Sequence, residues 1–179
     1  MEELLDLKQR MEQERPAKWD ELPDISLYMD QIISYMPRQL IHFDDRDTLT
    51  SAMVNNYIKD GIVPRAEGKR YSPSHLAYLT AVCALKKVLS VRDISNLIHS
   101  GEDLGMDAEA MYGYFLRKLD GALTDTAEKL DPEAGRDQLA KLALTLALHS
   151  YTYQLACVRI LDILQPSEPE VKETKKPKK

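Results

Sequence analysis

The 179-residue chain has two cysteines, one tryptophan and two phenylalanines, and its glycines and prolines number only 7 and 9. Cys83 and Cys157 both sit in apolar helical patterns, where a thiol acts as a small buried hydrophobe. This usage excludes a disulfide framework and fits a reducing compartment. No CxxC pair occurs, and His42, His75, His99 and His149 are scattered. The spacing that builds a zinc site is therefore missing, and neither metal nor cofactor is expected. The longest apolar stretch, LALTLAL, is too short to span a bilayer. The opening segment, MEELLDLKQRMEQERP, is charged throughout, unlike a signal peptide. There is no GxSxG, phosphate loop or HExxH, so no catalytic residue is assigned and an enzyme is not expected. These absences leave a soluble, cytoplasmic protein as the expectation.

What is present is an ordinary globular composition, 44% apolar and 30% charged, in a chain long enough for one domain with an appendage. The net charge is -5, which taken alone argues against nucleic acid. Its distribution argues otherwise. Between Lys59 and Arg92 stand Lys59, Arg65, Lys69, Arg70, Lys86, Lys87 and Arg92, against only Asp60 and Glu67. A phosphate backbone feels the local field, not the global sum.

Residues 1–19 read as a short amphipathic helical extension with Leu4, Leu5, Leu7 and Met11 on one side. In LPDISLYMDQIISYM, Asp24 or Ser26 caps a helix whose inward residues are Leu27, Tyr28, Ile32, Tyr35 and Met36, with Pro37 at its end. A polar connector follows, offering Asp47, Thr48 and Thr50 as caps for a second helix that turns Met53, Val54, Tyr57 and Ile58 inward. Gly61 suits the left-handed conformation just past a helix end. Ile62-Val63 and Lys69-Tyr71 flank a polar turn, and the pattern predicts a hairpin with Gly68 at positive φ. Ser72 and Pro73 then start a helix with Leu76, Leu79, Val82, Cys83 and Leu85 buried. Ser90, with Asp93 three residues on, caps another.

Helix pair, hairpin, further helix is the winged helix-turn-helix plan, in which the second helix enters the major groove and the wing reaches the neighbouring backbone. The expected fold is mainly α, with a small β-hairpin wing over residues 20–100. Ser51, Ala52, Asn55 and Asn56 lie on the outer faces of the second helix, and the short polar groups among them are of the kind that read base edges. Lys59, Arg65, Lys69 and Arg70, with Tyr71 at the wing end, suit phosphates. The expected partner is double-stranded DNA.

At these residues a resemblance appears. MVNNYIKDGIVPRAEGKRYSPSHLAYLTAVCALKKVLSVRDISNLI resembles the DNA-binding domain of MerR-type regulators, in which a helix ending in tyrosine precedes Gly-Leu-Ile-Pro and a wing ending in Arg-Tyr. Tyr57, Gly61-Ile62-Val63-Pro64, Arg70-Tyr71 and the segment Ser90 to Ile94 match those elements. LPDISLYMDQIISY, VNNYIKDGIVP and GKRYSPSHLAYLTAVCALKKVLSVRDI are similar to a bacterial family defined by domain of unknown function 1836. The resemblance covers roughly residues 20–100, and it implies a DNA-binding regulator. Two departures stand out. Asn55 takes the place of an arginine common in MerR-type recognition helices, and the connector HFDDRD is acidic.

The second half changes character. A helix is expected from about Asp107, and then a long one that Pro166 stops. Between Leu139 and Leu164 that long helix is apolar on most faces, so it should be buried all round, inside a bundle or across a subunit interface. Residues 105–165 are expected to form a dimerisation or effector region, with Leu142, Leu146, His149, Tyr153 and Leu161 at a homodimer interface. Tyr112, Tyr114, Phe115, Tyr151 and Tyr153 either line a pocket for a small-molecule effector or pack in the core. Residues 166–179 lack core residues and should be disordered. Two further readings stay open: a protein-interaction adaptor whose winged helix no longer binds DNA, and a small-molecule sensor.

Overall fold

The structure is a computed structural model that describes residues 2–43 and 48–165. The Asp47 cap candidate and the tail 166–179 lie outside them. Seven α-helices run in order among the described residues: α1 Glu2–Gln13, α2 Met29–Tyr35, α3 Ser51–Lys59, α4 Pro73–Leu85, α5 Val91–Asp103, α6 Ala108–Ala127 and α7 Arg136–Leu164. None is long and apolar enough to cross a membrane.

The helix starts follow local chemistry. Thr50 Oγ1 accepts from the Met53 N–H at 3.3 Å and begins α3, satisfying one of the orphan donors of the first turn. Ser90 Oγ does the same for Asp93 at 3.2 Å, and Asp107 Oδ1 for Ala110 at 2.8 Å. Pro73 is the first residue of α4, as its missing N–H allows. Gly61, at φ 74°, closes α3. The Ile62 N–H reaches back to the Tyr57 carbonyl at 2.9 Å and the Gly61 N–H to Ile58 at 3.1 Å, the paired bonds of a Schellman stop.

Helix α2 departs from expectation. Neither Asp24 nor Ser26 caps it. The N-cap is Tyr28, whose N–H donates to Gln31 Oε1 at 2.8 Å. The reason is tertiary. Leu27 exchanges two backbone hydrogen bonds of 2.9 Å with Tyr71, which holds it extended and delays the helix by several residues.

The wing departs too. The expected strands at 62–63 and 69–71 do not form a hairpin, and no sheet occurs among the described residues. Two isolated bridges do, Leu27 with Tyr71 and Glu67 with Arg70. Ile62 and Val63 are both buried, each 1% exposed. A strand sends neighbours to opposite faces, whereas here both plug the core beside α3, and Pro64 has no N–H to continue a ladder. The wing shrinks to a tight turn. Gly68 at φ 55° and Lys69 at φ 67° are its central residues, and Glu67 and Arg70 exchange backbone bonds of 3.1 and 2.9 Å around them. Two successive positive φ values make the turn whose twist suits a hairpin tip.

The core runs from Leu22 to Tyr112. Ile32, Val54, Leu76, Leu79, Val82 and Ile94 are inaccessible at its centre, and burying each contributes about 1.5–3 kcal/mol. Cys83 and Leu85, expected on the same stripe, are only partly buried. Helix α6 packs on α1 and α4, and Lys8 Nζ donates to the Leu130 carbonyl at 2.9 Å. Tyr112 enters the core from α6. Its hydroxyl donates to the Ala17 carbonyl at 2.8 Å, and its ring stacks on Phe115. Burial pushes the Tyr112 phenol up to about 12.

Helix α7 is not buried all round. It packs against α5 through its C-terminal half, where Gln154 Nε2 donates to the Val88 carbonyl at 2.7 Å. Of its residues only Leu161 is fully buried.

Candidate nucleic-acid interface

An open groove of about 680 Å³ lies between α3, the wing and the start of α2. Each wall has a local cause. The Thr50 cap fixes where α3 begins, which places Ser51, Asn55 and Ile58 in succession along one wall. The tight turn at Gly68-Lys69 lifts Lys69 onto the opposite wall. The Leu27–Tyr71 bridge ties the wing to the start of α2 and closes the groove's end with Tyr28 and Tyr71.

Of the residues expected at a DNA surface, the groove brings together Ser51, Asn55, Lys69 and Tyr71. Ser51, Asn55 and Lys69 are exposed, while Tyr71 is buried with its phenol pushed up by burial. Ala52, Asn56 and Lys59 are exposed on the adjoining stripe of α3, one residue further round and outside the groove. Arg65 is exposed at the base of the wing. Tyr57 is core, 7% exposed.

Arg70 is held in place. Its Nη2 donates to the Tyr28 hydroxyl at 3.0 Å, and its guanidinium sits 4.9 Å from the centroid of the same ring. A cation over an aromatic face at this range is attracted by the ring quadrupole, so the wing arginine and Tyr28 form one unit. Tyr28 is absent from the residues expected at the site. Helical period assigns it inward, whereas as an N-cap it points out, 47% exposed. The usable signal is Gln31 three residues on, which is capping-box spacing.

His75 is a second unforeseen member. It is 6% exposed on the first turn of α4. Its Nδ1 accepts from the Ser72 N–H at 3.0 Å, and its Nε2 lies 3.3 Å from the Arg65 carbonyl. The ring must then carry its proton on Nε2 and donate to Arg65. Tyr71 packs edge-on against it at 5.4 Å. His75 thereby fastens both ends of the segment from Arg65 to Ser72.

Asp30 also lines the groove, a carboxylate among the polar and basic groups. A larger recess of about 820 Å³ lies between α1, α4 and α6. Two of its cations are already paired, Arg10 with Glu14 at 2.6 Å and Arg15 with Asp120. The aromatic group proposed for an effector pocket does not converge. Tyr112 is core, Phe115 packs beside it, and Tyr114, Tyr151 and Tyr153 are exposed. Of the expected dimer residues, Leu142 and Leu146 are half-buried, His149 and Tyr153 exposed, and Leu161 is covered by its own chain at 2% exposure. Among the described residues no group of three His, Cys, Asp or Glu side chains is placed to hold a metal ion.

A family model described as domain of unknown function (DUF1836) matches residues 17–115. That span runs from the segment before α2 through the first turns of α6 and contains the whole groove. No curated protein and no solved structure matches the chain. The chain belongs to the DUF1836 family.

Proposed function

We propose that this member of the DUF1836 family is a sequence-specific DNA-binding transcriptional regulator that acts as a homodimer. In this reading it follows the MerR-like plan, with α3 in the major groove and the wing on the adjacent backbone. The observation that carries it is the groove, with base-reading side chains on one wall and a basic turn on the other. Asn55 offers a donor and an acceptor of the kind that pairs with adenine edges. Lys69 and the Tyr28-anchored Arg70 supply the phosphate contacts. Pre-positioning Arg70 on an aromatic ring reduces the entropy lost when it meets a phosphate.

The test is selection from random duplexes by the purified protein, followed by a salt titration. An enriched inverted repeat with steeply salt-dependent affinity is the expected result. Replacing both Arg70 and Lys59 by alanine removes four cations from the dimer, so it should weaken binding on all sequences and flatten the log–log salt slope by about 4. Asn55→Ala should cost about 1–3 kcal/mol and relax the preference at one base position. Affinity and slope unchanged in the double variant would sink the assignment of these two residues.

One observation favours a second reading. Asp30 lines the same groove, and a carboxylate repels a phosphate backbone while suiting a protein segment that carries basic residues. No duplex binding at low salt, together with one stoichiometric protein partner, would select an adaptor over a regulator.

A further inference from the structure

The middle of α7, residues 142–158, contains no Asp, Glu, Lys or Arg. Its inner face is occupied, since Cys157 and Val158 pack on the core and Leu161 is buried. On the adjoining face Leu144, Leu148, Tyr151 and Leu155 recur at steps of four, three and four, exposed by 62%, 54%, 62% and 59%. Tyr153, Ile160 and Leu164 are also more than half exposed, but they lie on the opposite side of the helix from this stripe. The four side chains of the stripe form one contiguous exposed apolar patch, of the kind that marks an interaction surface.

We infer that a second copy of this chain covers that surface, α7 against α7 and antiparallel, with the two-fold axis between residues 149 and 150. Leu144 then meets Leu155 of the second copy, and Leu148 meets Tyr151. Two features favour a second copy over an unrelated partner. The four-three-four spacing reads the same in both directions, as an isologous contact requires. The charge-free middle offers no ionic group by which a different partner would be specified. Antiparallel packing also sets the helix dipoles in opposition. The seam differs from the one expected from sequence, because Leu161 is spent on the chain's own core and the stripe lies on another face than Leu142, Leu146, His149 and Tyr153.

This inference deepens the homodimer of the proposed function and rests on it, though not on DNA binding. Sedimentation at micromolar concentration should give twice the 20.4 kDa chain mass for the wild type. Leu148→Glu combined with Tyr151→Glu should give the single-chain mass with an unchanged helical circular dichroism spectrum. A monomeric wild type overturns both the homodimer and this seam. A dimeric wild type with an equally dimeric, folded double variant overturns the seam alone. Orientation is read by cross-linking in a background with Cys83→Ser and Cys157→Ser, which also serves should the glutamates unfold the chain. Mixed Leu144→Cys and Leu155→Cys copies should cross-link to each other. Self-linking of Leu144→Cys copies, or no link at all in a dimeric protein, overturns the antiparallel register.

Discussion

Helices α4 and α7 carry the same sequence signal and meet opposite fates. Both are apolar on most faces, which marks a helix that needs enclosure. In α4, His75, Leu76, Ala77, Leu79, Thr80 and Val82 are buried, with α6 packed against the helix and Val54 and Tyr57 of α3 in the same core. In α7 only Leu161 is buried. An all-round apolar pattern states that cover is required and is silent on who supplies it. For α4 the chain supplies the cover, and for α7 we assign it to a second copy.

The sharpest way to break this contrast is a matched pair of truncations. Leu79→Ala empties a fully enclosed site and should cost about 2–5 kcal/mol in denaturant unfolding. Leu148→Ala, in protein dilute enough to be monomeric, should cost under about 0.5 kcal/mol. At higher concentration the wild-type Tm should rise with protein concentration and the Leu148→Ala Tm should rise less. Equal costs in dilute protein would mean that α7 is covered within one chain.

A smaller effect sharpens the core side. Tyr112→Phe keeps the stacking but removes the bond to the Ala17 carbonyl, and should cost about 1–2 kcal/mol. Burial raises the Tyr112 phenol to about 12, while in the unfolded chain it titrates near the usual tyrosine value of about 10. Between those values the unfolded chain releases a proton that the folded chain keeps. Stability is therefore intact below about pH 10 and declines as pH rises toward 12. Tyr78, also raised to about 12 by burial and by Glu102, adds to the same decline. Thermal unfolding from pH 9 to 12 should show the loss, with a shallower slope for Tyr112→Phe. The smallest effect concerns α3. Thr50→Ala removes the bond to the Met53 N–H and should lower stability by about 1 kcal/mol. On the proposed DNA-binding reading, its duplex affinity should fall as well, because the Thr50 cap sets where α3 begins and hence where Asn55 stands.

Much of this was legible before any coordinates. Thr50, Ser72, Ser90 and Asp107 start helices where residue type and spacing place them, and Gly61 stops one. These signals are local: the Thr50 and Ser90 hydroxyls and the Asp107 carboxylate accept from an N–H three residues on, Pro73 after Ser72 has no N–H to satisfy, and glycine accepts a positive φ without a Cβ clash. Ser51, Asn55 and Lys69 were legible as exposed residues that line the groove, because solvent exposure follows from helical period and turn chemistry. Tyr28 and His75 were not. The first is turned outward by a bridge to a residue far along the chain, and the second points its Nε2 at a carbonyl ten residues away. The wing was half legible. Gly68 marked the turn, but Ile62-Val63 looked like a strand until the space beside α3 claimed both side chains.

The sequence by itself determined the helical character of this protein, most helix boundaries, the turn at Gly68 and the presence of an apolar helix in need of cover. Backbone preference, capping and periodicity act over a few residues and can be read in order along the chain. Only the tertiary structure decided that Leu27 pairs with Tyr71, that Arg70 rests on Tyr28, and that α7 spends Leu161 on its own chain while leaving Leu144, Leu148, Tyr151 and Leu155 bare. Each of these depends on which distant surfaces meet. Apolar attraction has no direction, so a pattern alone does not name its partner.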